Sequence, residues 1–237
     1  MSYKKIALVC AFVLSFCLGV GYVKSSTKRK TLQEPGESEK RGTLRQQIAK
    51  AKSQGQSHLN LSGLIANYEQ VKDLDDALSR YSVIEAQMVE EKSYINENDS
   101  ISSWYKFKVL DYVSQPAVPR SLPFIQPPAD LLPLNDEEIL ISRIGGALLV
   151  DGVNITRSEQ AFPAFKKFDN YLLFVLLDNT TKVGLPDLGP AGVFTITGDN
   201  SLAPVNDQIP SLEKELKSRY GKTLPEIKKG FIMAHHK

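Results

Sequence analysis

Histidine and cysteine are almost missing from this chain. The two cysteines, Cys10 and Cys17, both fall in one apolar run near the N-terminus, and the three histidines are His58, His235 and His236. The span from Tyr81 to Gly230 therefore contains neither type. That excludes Ser-His and Cys-His nucleophile systems from it and disfavours a zinc hydrolase. A domain downstream of Cys17 has no disulfide and must be held by its own core. His235 and His236 are adjacent, and neighbours in sequence rarely supply the ligand geometry of a working metal site, so neither a metal nor a cofactor is expected. The sequence also lacks a Walker loop, a dinucleotide fingerprint and a Gly-x-Ser-x-Gly elbow.

The basic residues are concentrated at one end. Residues 1–23 carry +2, residues 24–56 have nine basic against three acidic side chains (+6), and residues 57–237 have eighteen against twenty-four (−6). Polyanion binding rests on a concentrated positive surface, so a body at −6 makes a nucleic-acid partner unlikely.

The apolar run is Ile6 to Val23, eighteen residues without a charge. It meets the lower length limit of a membrane-spanning helix and exceeds a typical signal h-region, so it reads as an uncleaved signal anchor in contact with the lipid bilayer. Cleavage and secretion is the rival reading. Lys4 and Lys5 favour an N-terminus inside and a domain outside the cytoplasm. Lys24, Lys28, Arg29 and Lys30 on the other flank pull towards a cytoplasmic domain. The usual layout of a basic start before a single apolar segment favours the extracytoplasmic orientation.

The sequence predicts five stretches: the anchor, 1–23; a basic polar tether with a short helix, 24–56; a helical lead-in, 57–80; a β domain, 81–204; and a C-terminal helix and tail, 205–237. The tether helix is expected at Thr43 to Ser53, with Leu44, Ile48 and Ala51 along one thin apolar side. Asp73, Asp75 and Asp76 open a second helix, where the helix dipole favours acids. The β domain centres on Tyr171 to Asp178, YLLFVLLD, an apolar run that reads as a strand buried on both faces. Before it, Tyr81 to Tyr94 and Ser102 to Tyr112 alternate as a long hairpin around Asn96 to Ser100. Gln115 to Leu134 holds six prolines and reads as a stiff crossover. Glu138 to Val150 resumes as strand with a bend at Gly145-Gly146, and Asp151-Gly152 signals a tight hairpin. Phe162, Phe165 and Phe168 lie in a link expected to cap a barrel end. Gly184 to Pro190 reads as a loop, and Ser211 to Tyr220 as a helix closed by Gly221. The expected fold is mainly β with flanking short helices: a small antiparallel barrel or sandwich, with an OB-like barrel as one candidate.

Two sets of candidate site residues emerge. Trp104, Lys106, Lys108 and Tyr112 alternate along one strand and interleave aromatic with basic side chains, as platforms for single-stranded nucleic acid or sugar do. Strand propensity explains the aromatics equally well. Asp111, Asp178 and Glu138 lie near strand ends, where paired carboxylates can perform acid–base chemistry if their environments separate their pKa values. Acids at strand ends are also commonplace. Four Asn-x-Ser/Thr sequons, at Asn60, Asn98, Asn154 and Asn179, matter only in a eukaryotic secretory setting. The reading that results is a membrane-anchored extracytoplasmic β domain that binds or supports an envelope protein or glycan. A carboxylate-based hydrolase and a single-stranded nucleic-acid binder are the alternatives, and the oligomeric state is not readable.

Overall fold

The computed structural model describes residues 42–235 except 62, 64, 65, 117–121, 123, 124 and 160. The expected anchor Ile6 to Val23 and the tether up to Arg41 lie outside the described residues. Among the described residues, no helix is long and apolar enough to cross a membrane.

Residues Gly42–Lys237 form one compact unit. It is mainly β, with a closed five-stranded barrel and a few short helices. The strands in chain order are β1 (His58–Asn60), β2 (Ser82–Ile95), β3 (Ile101–Ser114), β4 (Glu138–Ile144), β5 (Gly146–Val150), β6 (Val153–Arg157), β7 (Asn170–Asp178), β8 (Val183–Leu185), β9 (Val193–Ile196) and β10 (Leu202–Pro204). The helices are α1 (Leu44–Ser53), α2 (Leu74–Arg80), α3 (Glu213–Tyr220) and α4 (Leu224–His235). The large sheet runs β10-β9-β7-β2-β3-β4-β8 and closes because β8 also pairs with β7. Every pair in it is antiparallel except β4 with β8.

The period-2 pattern sorts each strand's side chains between the two faces. In β7, Tyr171, Leu173, Val175 and Leu177 enter the barrel core. Leu172 and Phe174 face a second core, where α2 supplies Leu74 and Ala77, α3 supplies Leu216, and α4 supplies Leu224, Ile227 and Phe231. The strand is thus buried on both faces, as its unbroken apolar run requires. Phe162 and Phe165 from the link before β7 join the barrel core, packing edge to face at 5.6 Å between ring centres. Phe168 does not follow them and is 67% exposed.

The chain leaves the barrel at Gly145-Gly146, and the β5–β6 hairpin forms a separate three-stranded sheet with β1. Gly146 crosses so close to the barrel that an added Cβ would sit 2.0 Å from Ser103 Oγ and 2.4 Å from Ser93 Oγ. Helix α1 covers this small sheet. Its Leu44, Ile48 and Ala51 are buried with Val153, Ile155 and Ile101, so the thin apolar stripe of the tether belongs to the folded unit. Thr43 and Gln46 start the helix with a reciprocal capping box.

Strand β1 falls within the expected helical lead-in 57–80, and two further elements differ from the sequence expectation. The segment expected as a loop from Gly184 overlaps β8, the three-residue strand that closes the barrel. The stretch after Gly221, expected as a tail, contains α4, whose Leu224, Ile227 and Phe231 recur at helical spacing. Glu226 opens that helix by accepting from the backbone N–H groups of Lys222 and Thr223, at 2.8 and 3.0 Å.

Candidate functional site

The β3–β4 face outside the barrel carries most of the expected platform, and residues 125–134 of the proline-rich crossover lie over it. Trp104 and Leu140 from that face and Val183 of β8 are buried with Leu131 of the crossover, flanked by Tyr94, Ile125 and Leu134. The Tyr94 hydroxyl donates to Asp130 Oδ1 and Oδ2 at 2.8 and 2.9 Å, and Lys92 Nζ donates to Oδ2 at 3.2 Å. These contacts, the Tyr94 hydroxyl first, hold the Asp130 carboxyl below its ordinary value. Trp104, 5% exposed, is therefore a core residue beneath the crossover.

The rest of the set divides. Lys106 Nζ lies 4.0 Å from Glu138, and Lys108 Nζ lies 3.5 Å from Glu137, so each basic head has an acidic neighbour. Tyr112 is not on their face. Val109 pairs with Ala86 and Asp111 with Glu85, which leaves Leu110 as an extra residue on β3. A one-residue bulge exchanges the two faces beyond it. Tyr112 consequently stands opposite Ile84, a residue of the barrel core, and Asp111 turns outward.

The three carboxylates are held apart in separate tasks. Asp111 Oδ2 lies 2.8 Å from Lys228 Nζ of α4, and the same ammonium is paired with Glu85. Asp178 organises the β7–β8 turn by accepting from Thr180 N at 2.8 Å and from the Thr181 hydroxyl at 2.9 Å. Those bonds lower its pKa, the Thr180 N–H first. Glu138 accepts from Asn135 N at 3.1 Å as β4 begins. Among the described residues, no three His, Cys, Asp or Glu side chains gather to hold a metal. Asp73 caps α2 through the Asp76 N–H at 2.9 Å, the helix-start role expected of that acidic trio.

The least expected polar group is Arg143. It follows Ile139 and Ile141 at alternate positions in β4, so its side chain points inward at the barrel end. Its guanidinium lies 3.5 Å from the Phe162 ring centre and donates to the carbonyls of Phe162 and Pro163 at 2.6 and 2.8 Å. Glu159 accepts from it at 3.2 Å, and the two side chains are 6% and 5% exposed. Burial pushes Glu159 up to about 7 and Arg143 down to about 10, whereas their contact favours the ionised pair and opposes both shifts. The arrangement fastens the phenylalanine link across the barrel end. The signal in the sequence was the charged residue at an inward position of the pattern Ile139, Ile141, Arg143.

A shallow cavity of about 360 Å³ lies elsewhere, lined among others by Asp207, Gln208, Pro210 and Glu213. None of the candidate site residues lines it. No protein-family model matches the chain, and no curated protein is significantly similar to it.

Proposed function

We propose that this chain is a single-pass membrane protein whose tether carries the barrel domain outside the cytoplasm, where it works by binding or structural contact with an envelope protein or glycan. The anchor reading rests on the uncharged run Ile6 to Val23 and the basic start before it. The barrel is of OB type in this reading. Its order β2-β3-β4-β8-β7 and the single parallel pair between its third and fifth strands support that assignment.

The observation that carries the non-catalytic reading is that the chain itself covers part of the face through which such barrels take up oligomeric ligands, that of the second and third strands. The proline-rich crossover covers Trp104 of β3 and Leu140 of β4 through Leu131 and is tied to β2 through Asp130. Asp99 of the first loop accepts from the backbone N–H of Leu44 at the start of α1. The second loop, residues 179–181, is exposed, and Lys182 at its end donates to Asn135 O at 2.9 Å. Contacts with partners then fall to other surfaces. Carbonate extraction and protease shaving of membranes containing the full chain test this proposal. A domain that resists extraction and is digested only from the extracytoplasmic side agrees with it. Release by carbonate, or protection of the domain in intact cells, would overturn it.

A further inference from the structure

Phe168 combines an exposed bulky side chain with an unfavourable backbone conformation. Its backbone is left-handed at φ +70°, a region unfavourable for an aromatic residue, and its ring is 67% exposed. Among the described residues, the other non-glycine residues with positive φ are Asp99, Asp151, Lys182 and Asn200. Three of those four are the Asp and Asn that tolerate this conformation best.

The turn that presents the ring is tightly fixed. Phe168 N donates to Met88 O at 2.8 Å, and Gln87 Nε2 donates to Phe168 O at 3.2 Å. Asp169 N closes the turn onto Lys166 O at 3.2 Å, and Lys166 N donates to the Tyr171 hydroxyl at 2.7 Å. Phe165, three residues earlier, is sunk in the barrel core. The exposed ring is thus a rigid projection from the core. Lys166 and Lys167 precede it and are both exposed, with Lys167 Nζ 5.1 Å from the ring centre, and Asp169 follows it.

We propose that this Lys166-Lys167-Phe168 tip docks onto the anionic face of the bilayer that anchors the chain, with the ring at the headgroup level and the two ammonium groups on lipid phosphates. The inference rests on the anchored reading given above. An aromatic ring beside lysines is the side-chain set that favours a membrane interface. Residues 57–237 carry a net −6, so attraction to an anionic surface is confined to local basic points, of which this tip is one. Geometry permits the contact. Residues 24–41 provide eighteen residues of tether, about 60 Å at full extension. The chain enters the domain beside the β2–β3 turn, where Leu44 N meets Asp99. Met88, which holds Phe168, lies eight residues back along β2 from Asn96, a span of about 26 Å. A surface kept this close by a tether needs only a weak contact to be occupied.

The test uses the full chain in vesicles of phosphatidylcholine with and without phosphatidylglycerol. Trp104→Phe removes the single native indole, and Phe168→Trp places one at the tip. The expected result is a blue-shifted emission quenched by brominated acyl chains in the anionic vesicles, lost in high salt and lost when Lys166→Glu and Lys167→Glu are added. Flotation of the same sample reports the anchor separately. A chain that floats while its introduced indole remains solvent-like and unquenched overturns the docking proposal alone. A chain that fails to float overturns the anchored reading and the docking with it. Blue-shifted emission insensitive to bromolipid would mark a contact between copies and would also overturn the proposal.

Discussion

The Tyr94 hydroxyl donates to both carboxylate oxygens of Asp130, at 2.8 and 2.9 Å, and so ties strand β2 to the crossover that covers Trp104. Because Trp104 is the single tryptophan, its emission reports that cover directly. Tyr94→Phe removes the tie without changing the ring. It is predicted to red-shift the Trp104 emission and raise its quenching by acrylamide, with far-ultraviolet circular dichroism unchanged. An emission identical to that of the parent would show that Lys92 and the apolar contacts of Leu131 hold the crossover without the hydroxyl.

The same tie has a defined pH dependence. Asp130 is held below its ordinary value by the Tyr94 hydroxyl and Lys92, so its ionised form is favoured in the folded state. The contact is complete above the unfolded aspartate value of about 4 and is lost as pH falls through the lower folded value. Trp104 emission is therefore expected to be constant from neutral pH to about pH 4 and to shift red below it. A shift centred near neutrality would contradict this assignment.

Arg143→Met is predicted to cost about 3–5 kcal/mol in denaturant unfolding, because it leaves Glu159 and the carbonyls of Phe162 and Pro163 without their donor in a buried site. Glu159→Gln should cost less, since the guanidinium keeps both carbonyls. Equal costs would mean that the ion pair, not the clamp on the link, dominates at the barrel end.

Much of this arrangement was legible in the residues, and the exceptions have physical causes. The long β2–β3 hairpin and the doubly buried β7 follow from period and apolarity sustained over many residues. Strand β8 escaped because three residues carry no period, although Val183 and Leu185 lie where the barrel closes. Alternation places Tyr112 on the face of Trp104 only in an unbroken register, and nothing in Val109-Leu110-Asp111 announces a bulge. Trp104 and Lys108 look alike as platform residues until a distant segment covers one of them. Which face a proline-rich crossover will cover is set by long-range contacts such as Leu131 on Leu140, not by local sequence.

Phe168→Asn is predicted to stabilise the domain by about 0.5–1 kcal/mol, because Asn tolerates the left-handed backbone and little burial is forfeited. The measurement is the urea midpoint of the full chain in detergent. A loss of stability would show that the exposed ring supports the fold.

Gly146→Ala should be costly, about 2–3 kcal/mol, since the methyl would meet Ser103 Oγ at 2.0 Å with φ at +132°. Adding Ser103→Gly and Ser93→Gly would relieve the steric part but not the backbone part, so the triple variant is expected to recover incompletely. Full recovery would remove backbone conformation from the explanation.

The proposed envelope function requires the barrel domain to lie outside the cytoplasm. Fusing alkaline phosphatase to the C-terminus of the full chain in a bacterial host, beside a parallel fusion to a fluorescent protein that does not mature after export, measures this directly. The prediction is an active phosphatase and a dark fluorescent fusion, with the domain outside the cytoplasm. A fluorescent fusion with inactive phosphatase would put the domain in the cytoplasm and contradict the envelope function proposed for it.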